Sequence, residues 1–279
     1  MRRAFIVGIL LALIVPCIGI IVVLKRLSLI GDALSHTSLA GVAAGLIAGV
    51  NPVLGAIVLC VLAAFGIEAI RRKLPQHSEM AIAIILSAGI GLAGVLSGFV
   101  PGAENFNSFL FGSIVAINDF ETALVACISF AVLLAFVLLF KELFYISFDE
   151  RAARLAGVPV RLVNALFTVL TAVTVSIASR TVGALIVSSL MVVPVACALQ
   201  CAKSYRQNVF YSIGFALLFT VSGLFFAYYA NLRPGATIVL LGVICLVLIL
   251  LFKRVLASAR SRPSRKGPRD GLKKEADRL

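Results

Sequence analysis

Charge is scarce in this chain. Only 13% of its 279 residues are Asp, Glu, Lys or Arg, and there are two histidines. A soluble domain of comparable size carries about 25% charged residues. Several chemical signatures are also missing. No Gly-x-x-x-x-Gly-Lys-[Ser/Thr] run occurs, which excludes ATP binding through that phosphate loop. No His-Glu-x-x-His occurs, which removes the zinc-protease signature. No long polar stretch remains from which a soluble catalytic domain could be built.

What is present is apolar mass, at 61% of residues, in long runs broken by short polar stretches. About 20 apolar residues span a bilayer core of roughly 30 Å. A backbone in lipid must satisfy its own hydrogen bonds, so the spans should be helices. The expected fold is therefore an all-α, polytopic transmembrane helical bundle. Nine spans are predicted, at 4–24, 27–49, 53–70, 80–100, 120–140, 162–179, 182–201, 209–230 and 235–252. The first run is long, is followed by Lys25-Arg26 rather than a cleavage signal, and reads as a retained span. A tenth apolar piece, Phe106 to Ile117, is too short to cross and holds Asn107, Ser108, Gly112 and Ser113. It reads as a re-entrant or interfacial segment. The membrane-spanning region covers 1–252, and the Arg/Lys/Ser/Pro-rich remainder, 253–279, is expected to be a disordered basic tail.

Basic residues fix the expected orientation. Twenty-one of the 25 Lys and Arg residues fall on one face of a nine-span arrangement, and only Arg2, Arg3, Arg180 and Arg233 on the other. The rich face should be cytoplasmic. This puts the C-terminus inside and the N-terminus outside. The net charge of +13 is then a membrane-topology signature and points to lipid, not to nucleic acid. The six cysteines all lie in apolar runs and read as small buried hydrophobes. The second histidine, His77, reads as a solvated loop residue, and Glu104, Asp119 and Glu121 as loop acids on the outer face.

Two side chains stand out. Asp32 and His36 lie inside the second span, four residues apart and so on one helix face. An Asp at mid-span costs about 3 kcal/mol on insertion scales, so stability alone does not account for it. Imidazole and carboxylate together suit a borderline divalent cation such as zinc, and carboxylate also suits manganese. A buried hydrogen-bonded pair and a proton relay are the alternatives that these two residues leave open. Ser35 lies beside them and is expected to line the same path. In the seventh span, Pro194 breaks a backbone hydrogen bond near Ser188, Ser189 and Met191, as expected of a kinked pore-lining helix or of a packing kink.

The stretch 141–161 is polar but not disordered in composition. Asp149 and Glu150 can cap a helix from Arg151 to Ala156, and Gly157 with Pro159 would end it. A short amphipathic helix there suits docking to a soluble partner.

Four motifs in order, Gly31-Asp-Ala-Leu-Ser-His36, Leu110-Phe-Gly-Ser-Ile114, Ser147-Phe-Asp-Glu150 to Ala156-Gly-Val158, and Val182-Gly-Ala-Leu to Val193-Pro-Val-Ala196, resemble the permeases of zinc/manganese/iron ABC importers. The likeness covers about residues 5 to 252. It implies a transport subunit of the bacterial inner membrane, not an enzyme, which carries zinc first, manganese next, with iron a further option. It implies pairing with a second permease copy or a paralogue. It also implies a cytoplasmic ATP-binding-cassette ATPase that holds the ATP, and an extracytoplasmic metal-binding protein. No permanently bound cofactor is implied. Asp32 and His36 would touch the ion, and Asp149, Glu150, Arg151, Arg154 and Gly157 would couple to the ATPase. A self-contained secondary cation or proton-coupled transporter is the competing reading.

Overall fold

The computed structural model describes residues 2–74, 77–100, 119–184, 186–230 and 232–260. The predicted re-entrant segment and Glu104 lie outside them. Among the described residues there are eleven helices and no strand. They are α1 (Arg2–Leu24), α2 (Ile30–Ile47), α3 (Pro52–Lys73), α4 (Ser78–Ser97), α5 (Asp119–Leu138), α6 (Phe140–Phe148), α7 (Glu150–Leu155), α8 (Val160–Val182), α9 (Val187–Cys201), α10 (Tyr205–Ala230) and α11 (Pro234–Arg260). The all-α polytopic bundle expected from hydropathy is what forms. Eight of these helices are long and apolar enough to cross a membrane.

The ninth expected span, 182–201, takes a different form. It becomes the 15-residue α9, about 22 Å long at 1.5 Å per residue and short of a bilayer core. The cause is local. Gly183 has φ +109°, a backbone state that residues with a Cβ seldom adopt, and the chain leaves the helix there. Helix α9 then begins within the bundle. Its second residue, Ser188, lies against Gly31 of α2, and Met191 packs on Gly19 of α1. Interrupted backbone at such depth is tolerated where protein covers it.

At the other extreme α11 continues to Arg260, past the predicted boundary at 252 and into the segment expected to be disordered. The residues Lys253-Arg-Val-Leu-Ala-Ser-Ala259 include good helix formers, so the span propagates outward without a break.

Helices α1, α2 and α8 form the buried centre; α3, α4, α5, α10 and α11 present large apolar side chains such as Val58, Val95, Phe130, Phe210 and Leu248 outward. Helix α2 packs on α3, α4, α8 and α9. Small residues set these distances. A Cβ on Gly41 would fall 2.5 Å from the Gly55 carbonyl oxygen of α3, and one on Gly89 of α4 would fall 2.8 Å from Thr37 Oγ1. Such close backbone approach is how helices associate where no hydrophobic force acts between them. Helix α3 starts cleanly: Asn51 Oδ1 accepts from Val53 N at 2.9 Å and Pro52 occupies the first turn.

Cross-bundle contacts group the helix ends as the basic-residue count predicts. Lys25 meets Asn164 at the basic end, and Arg180 pairs with Glu121 at 3.2 Å at the opposite one. Glu121, expected to be a solvated loop acid, is thus a partly buried ion-pair partner.

Candidate metal-transit site

Between Ile30 and Ala43 every residue of α2 is buried except Asp32 and His36. The neighbours explain the gap. Gly31 abuts α9 at Ser188, Cys60 Sγ of α3 donates to the Leu34 carbonyl at 3.1 Å, Ser38 pairs with Ser179 of α8 at 2.8 Å, and Thr37 abuts α4. With 3.6 residues per turn, Asp32 and His36 project from the arc, between α4 and α9, that none of the described helices covers. Both side chains are half-exposed there. Among the described residues neither has a hydrogen-bond or ion-pair partner, and no third His, Cys, Asp or Glu joins them to complete a metal-binding cluster.

The neighbouring polar groups divide in two. Ser35 is fully buried and its hydroxyl donates to the Gly31 carbonyl at 2.7 Å, so it is satisfied within its own helix. Ser188 and Ser189 are half-exposed at the start of α9, and Ser188 lies beside Gly31. Met191 and Pro194 face inward and are buried; Met191 closes on Gly19 of α1.

At the basic end the chain builds a second feature. Asp149 caps α7, its Oδ1 accepting from Arg151 N at 2.8 Å and Ala152 N at 3.1 Å. Gly157 ends the turn with φ +83°. Ala153 is buried and seats the helix on the bundle, while Arg151, Arg154 and Leu155 point outward. Leu155 is 91% exposed and Phe148 65% exposed, an apolar tip ringed by charge. Behind it lies an aromatic cluster in which the Phe144 ring sits 4.9 Å from both Phe148 and Tyr205.

Two groups escaped the sequence reading. Glu68, inside the third span, is only 8% exposed and pairs with Arg71 at 2.8 Å and Arg72 at 3.1 Å. Its i, i+3 and i, i+4 spacing to those arginines was the available signal. Asn164 is buried between Lys25 and Glu150. No spacing rule reaches across such sequence distances.

Comparison with known proteins adds a family. Residues 1–253 match the profile of the ABC 3 transport family. The chain is 34% identical over 91% of its length to a probable metal transport system membrane protein of Treponema pallidum, covering 96% of that protein. It is 32% identical over 86% of its length to a manganese import system permease of Streptococcus parasanguinis, covering 86% of it. A high-affinity zinc uptake system membrane protein of Haemophilus influenzae is 27% identical over 90% of this chain and 96% of its own. Among solved structures, PsaBC from Streptococcus pneumoniae in complex with Fab superposes with a TM-score of 0.80 at 32% identity, covering 89% of this chain and 90% of that one.

Proposed function

The chain belongs to the ABC 3 transport family, and from that premise we propose that it is the permease subunit of an ATP-driven importer of a divalent transition metal. The observation that carries the reading is the accessibility of Asp32 and His36 on a stretch of α2, Ile30 to Ala43, whose other residues are all buried. A carboxylate and an imidazole without hydrogen-bond or ion-pair partners among the described residues are free to meet an ion. A buried structural pair would instead be hydrogen-bonded to something.

The donor set suits cargo. Two protein ligands are too few for a structural zinc site, which takes four. They are enough for an ion that must bind and leave again. Zinc ranks first because of the imidazole, manganese next because of the carboxylate, and iron after them. Relatives named for manganese and for zinc are both consistent with this set. Ser188 and Ser189, at the start of α9, are the closest candidates to line the same path. Met191 and Pro194 would act from behind it, by holding α9 against α1.

The apolar tip at Phe148 and Leu155, with Arg151, Arg154 and Gly157 around it, is proposed to seat on the cytoplasmic ATPase. That puts the basic end in the cytoplasm, together with the C-terminus. A second permease copy or paralogue would face the open arc of α2, and an extracytoplasmic binding protein would deliver the ion to the opposite end.

The test is uptake of radiolabelled zinc and manganese by cells or vesicles carrying the whole importer. Asp32→Asn and His36→Ala should each lower uptake at least about tenfold, the effect of losing one charge-assisted contact or more. Co-purification with the ATPase should be unchanged. Wild-type uptake by both variants would overturn the contact role.

A further inference from the structure

At the basic end three residues from three elements form one continuous polar chain. Lys25, immediately after α1, donates from Nζ to Asn164 Oδ1 at 2.7 Å. Asn164, near the start of α8, donates from Nδ2 to Glu150 Oε1 at 3.1 Å. Glu150 is the first residue of α7. The Asn164 amide therefore uses one end on each partner, and the chain has a direction: ammonium to amide oxygen, amide nitrogen to carboxylate.

Its surroundings hold it in place. The Lys25 ammonium sits 5.7 Å from the centre of the Phe167 ring, and Lys25, Glu68, Arg71 and Asn164 line one small cavity. The α1–α2 junction that carries Lys25 is itself closed by backbone hydrogen bonds. Leu27 N bonds back to Val22 O and Arg26 N to Val23 O, a Schellman closure of α1. Arg26 takes φ +57° to make it, where glycine is usual. A shift of the Lys25 backbone would therefore be passed to the start of α2, which bears Asp32 in its first turn.

We propose that Asn164 is a coupling residue, positioning rather than ion-contacting, through which movement of α7 is passed to the α1–α2 junction and so to the Asp32/His36 helix. This rests on the importer reading above. Both hydrogen bonds are charge-assisted and meet at the buried Asn164 amide, so breaking either leaves one end of that amide unpaired, although Glu150 itself is exposed. Helix α7 and the junction consequently move together or lose both bonds. The outward side chains of α7 meet the motor while Glu150 holds the bundle.

Reversal of the chain's direction tests this without changing its charge. Asn164→Asp keeps the bond to Lys25 but sets two carboxylates face to face and breaks the link to α7. Adding Glu150→Gln supplies an amide at position 150 that can donate to the new carboxylate, and so restores the link with the wild-type net charge. The complete importer, reconstituted with its ATPase and binding protein, is followed by two readouts. One is the change that a non-hydrolysable ATP analogue produces in hydrogen exchange at the 26–31 amides. The other is ATP hydrolysed per manganese or zinc ion taken up. Asn164→Asp should abolish the first and raise the second about tenfold, whereas the double variant should return to within about twofold of wild type. Lys25→Met, which removes the donor at similar volume, should behave as Asn164→Asp does and serves if the aspartate variant fails to assemble. Wild-type values for both single variants, or a double variant no better than Asn164→Asp, would overturn the proposal. A wild-type importer that shows the exchange change yet moves neither ion would sink the metal reading and support the relay.

Discussion

Single residues carry the chemistry, and their surroundings explain why. Burial is the main reason the Lys25 ammonium is pulled down from its ordinary 10.5 to about 8; Arg71 adds to the fall, while Glu150 and Glu68 oppose it. The sign follows from proton counting. Between about pH 8 and 10.5 the unfolded chain keeps a proton that the native one has released, so native stability rises with pH across that window. Thermal melting of the detergent-solubilised protein should therefore gain a positive contribution from pH 8 upward, and Lys25→Met should remove that component. Asp32 and His36 were legible from sequence because polar groups inside an apolar run stand out. Asn164 was not. Its role depends on Lys25 and Glu150 arriving from other helices, and nothing local in the Val160-Arg-Leu-Val-Asn164 run announces that.

At the scale of elements, small residues decide which helices touch. The Gly41–Gly55 contact joins α2 to α3 backbone to backbone. Gly41→Ala should force the two helices apart and destabilise the protein by about 1–3 kcal/mol, as overpacking does. A lowered melting temperature in detergent would show it. Helix α7 works by the opposite principle, offering side chains outward. Replacing the 91%-exposed Leu155 with Asp should leave the bundle folded, since Leu155 buries little in it, while reducing recovery of the ATPase in pull-downs from solubilised membranes at least about tenfold. The limits of α7 could be read from Asp149 and Gly157, because capping and left-handed turns are local chemistry. Interruption of α9 could not be read from hydropathy. Gly183 is the second residue of the predicted span 182–201, and its positive φ, which hydropathy does not register, delays the start of the helix to Val187.

For the whole molecule, hydropathy and basic-residue placement were enough to give the all-α bundle and the grouping of its ends, because lipid allows so few solutions. What they left out is the order of burial. Hydropathy does not sort the spans: α1 is the most apolar of the eight candidates and α2 the least, yet both are central with α8, and the others form the outer wall. Among the described residues, that order leaves the Asp32/His36 strip of α2 accessible between α4 and α9 rather than in a sealed seam.

The strip has one more consequence. A cation touched by just two side chains must take the rest of its coordination sphere from elsewhere, and water is the ready supply. The ion would then travel partly wet, trading a few water molecules for Asp32 and His36 and regaining them within a short dwell. Discrimination between cations of equal charge would fall to the ease of that exchange, a kinetic sieve in which a slowly dehydrating ion such as magnesium is turned away at the entrance.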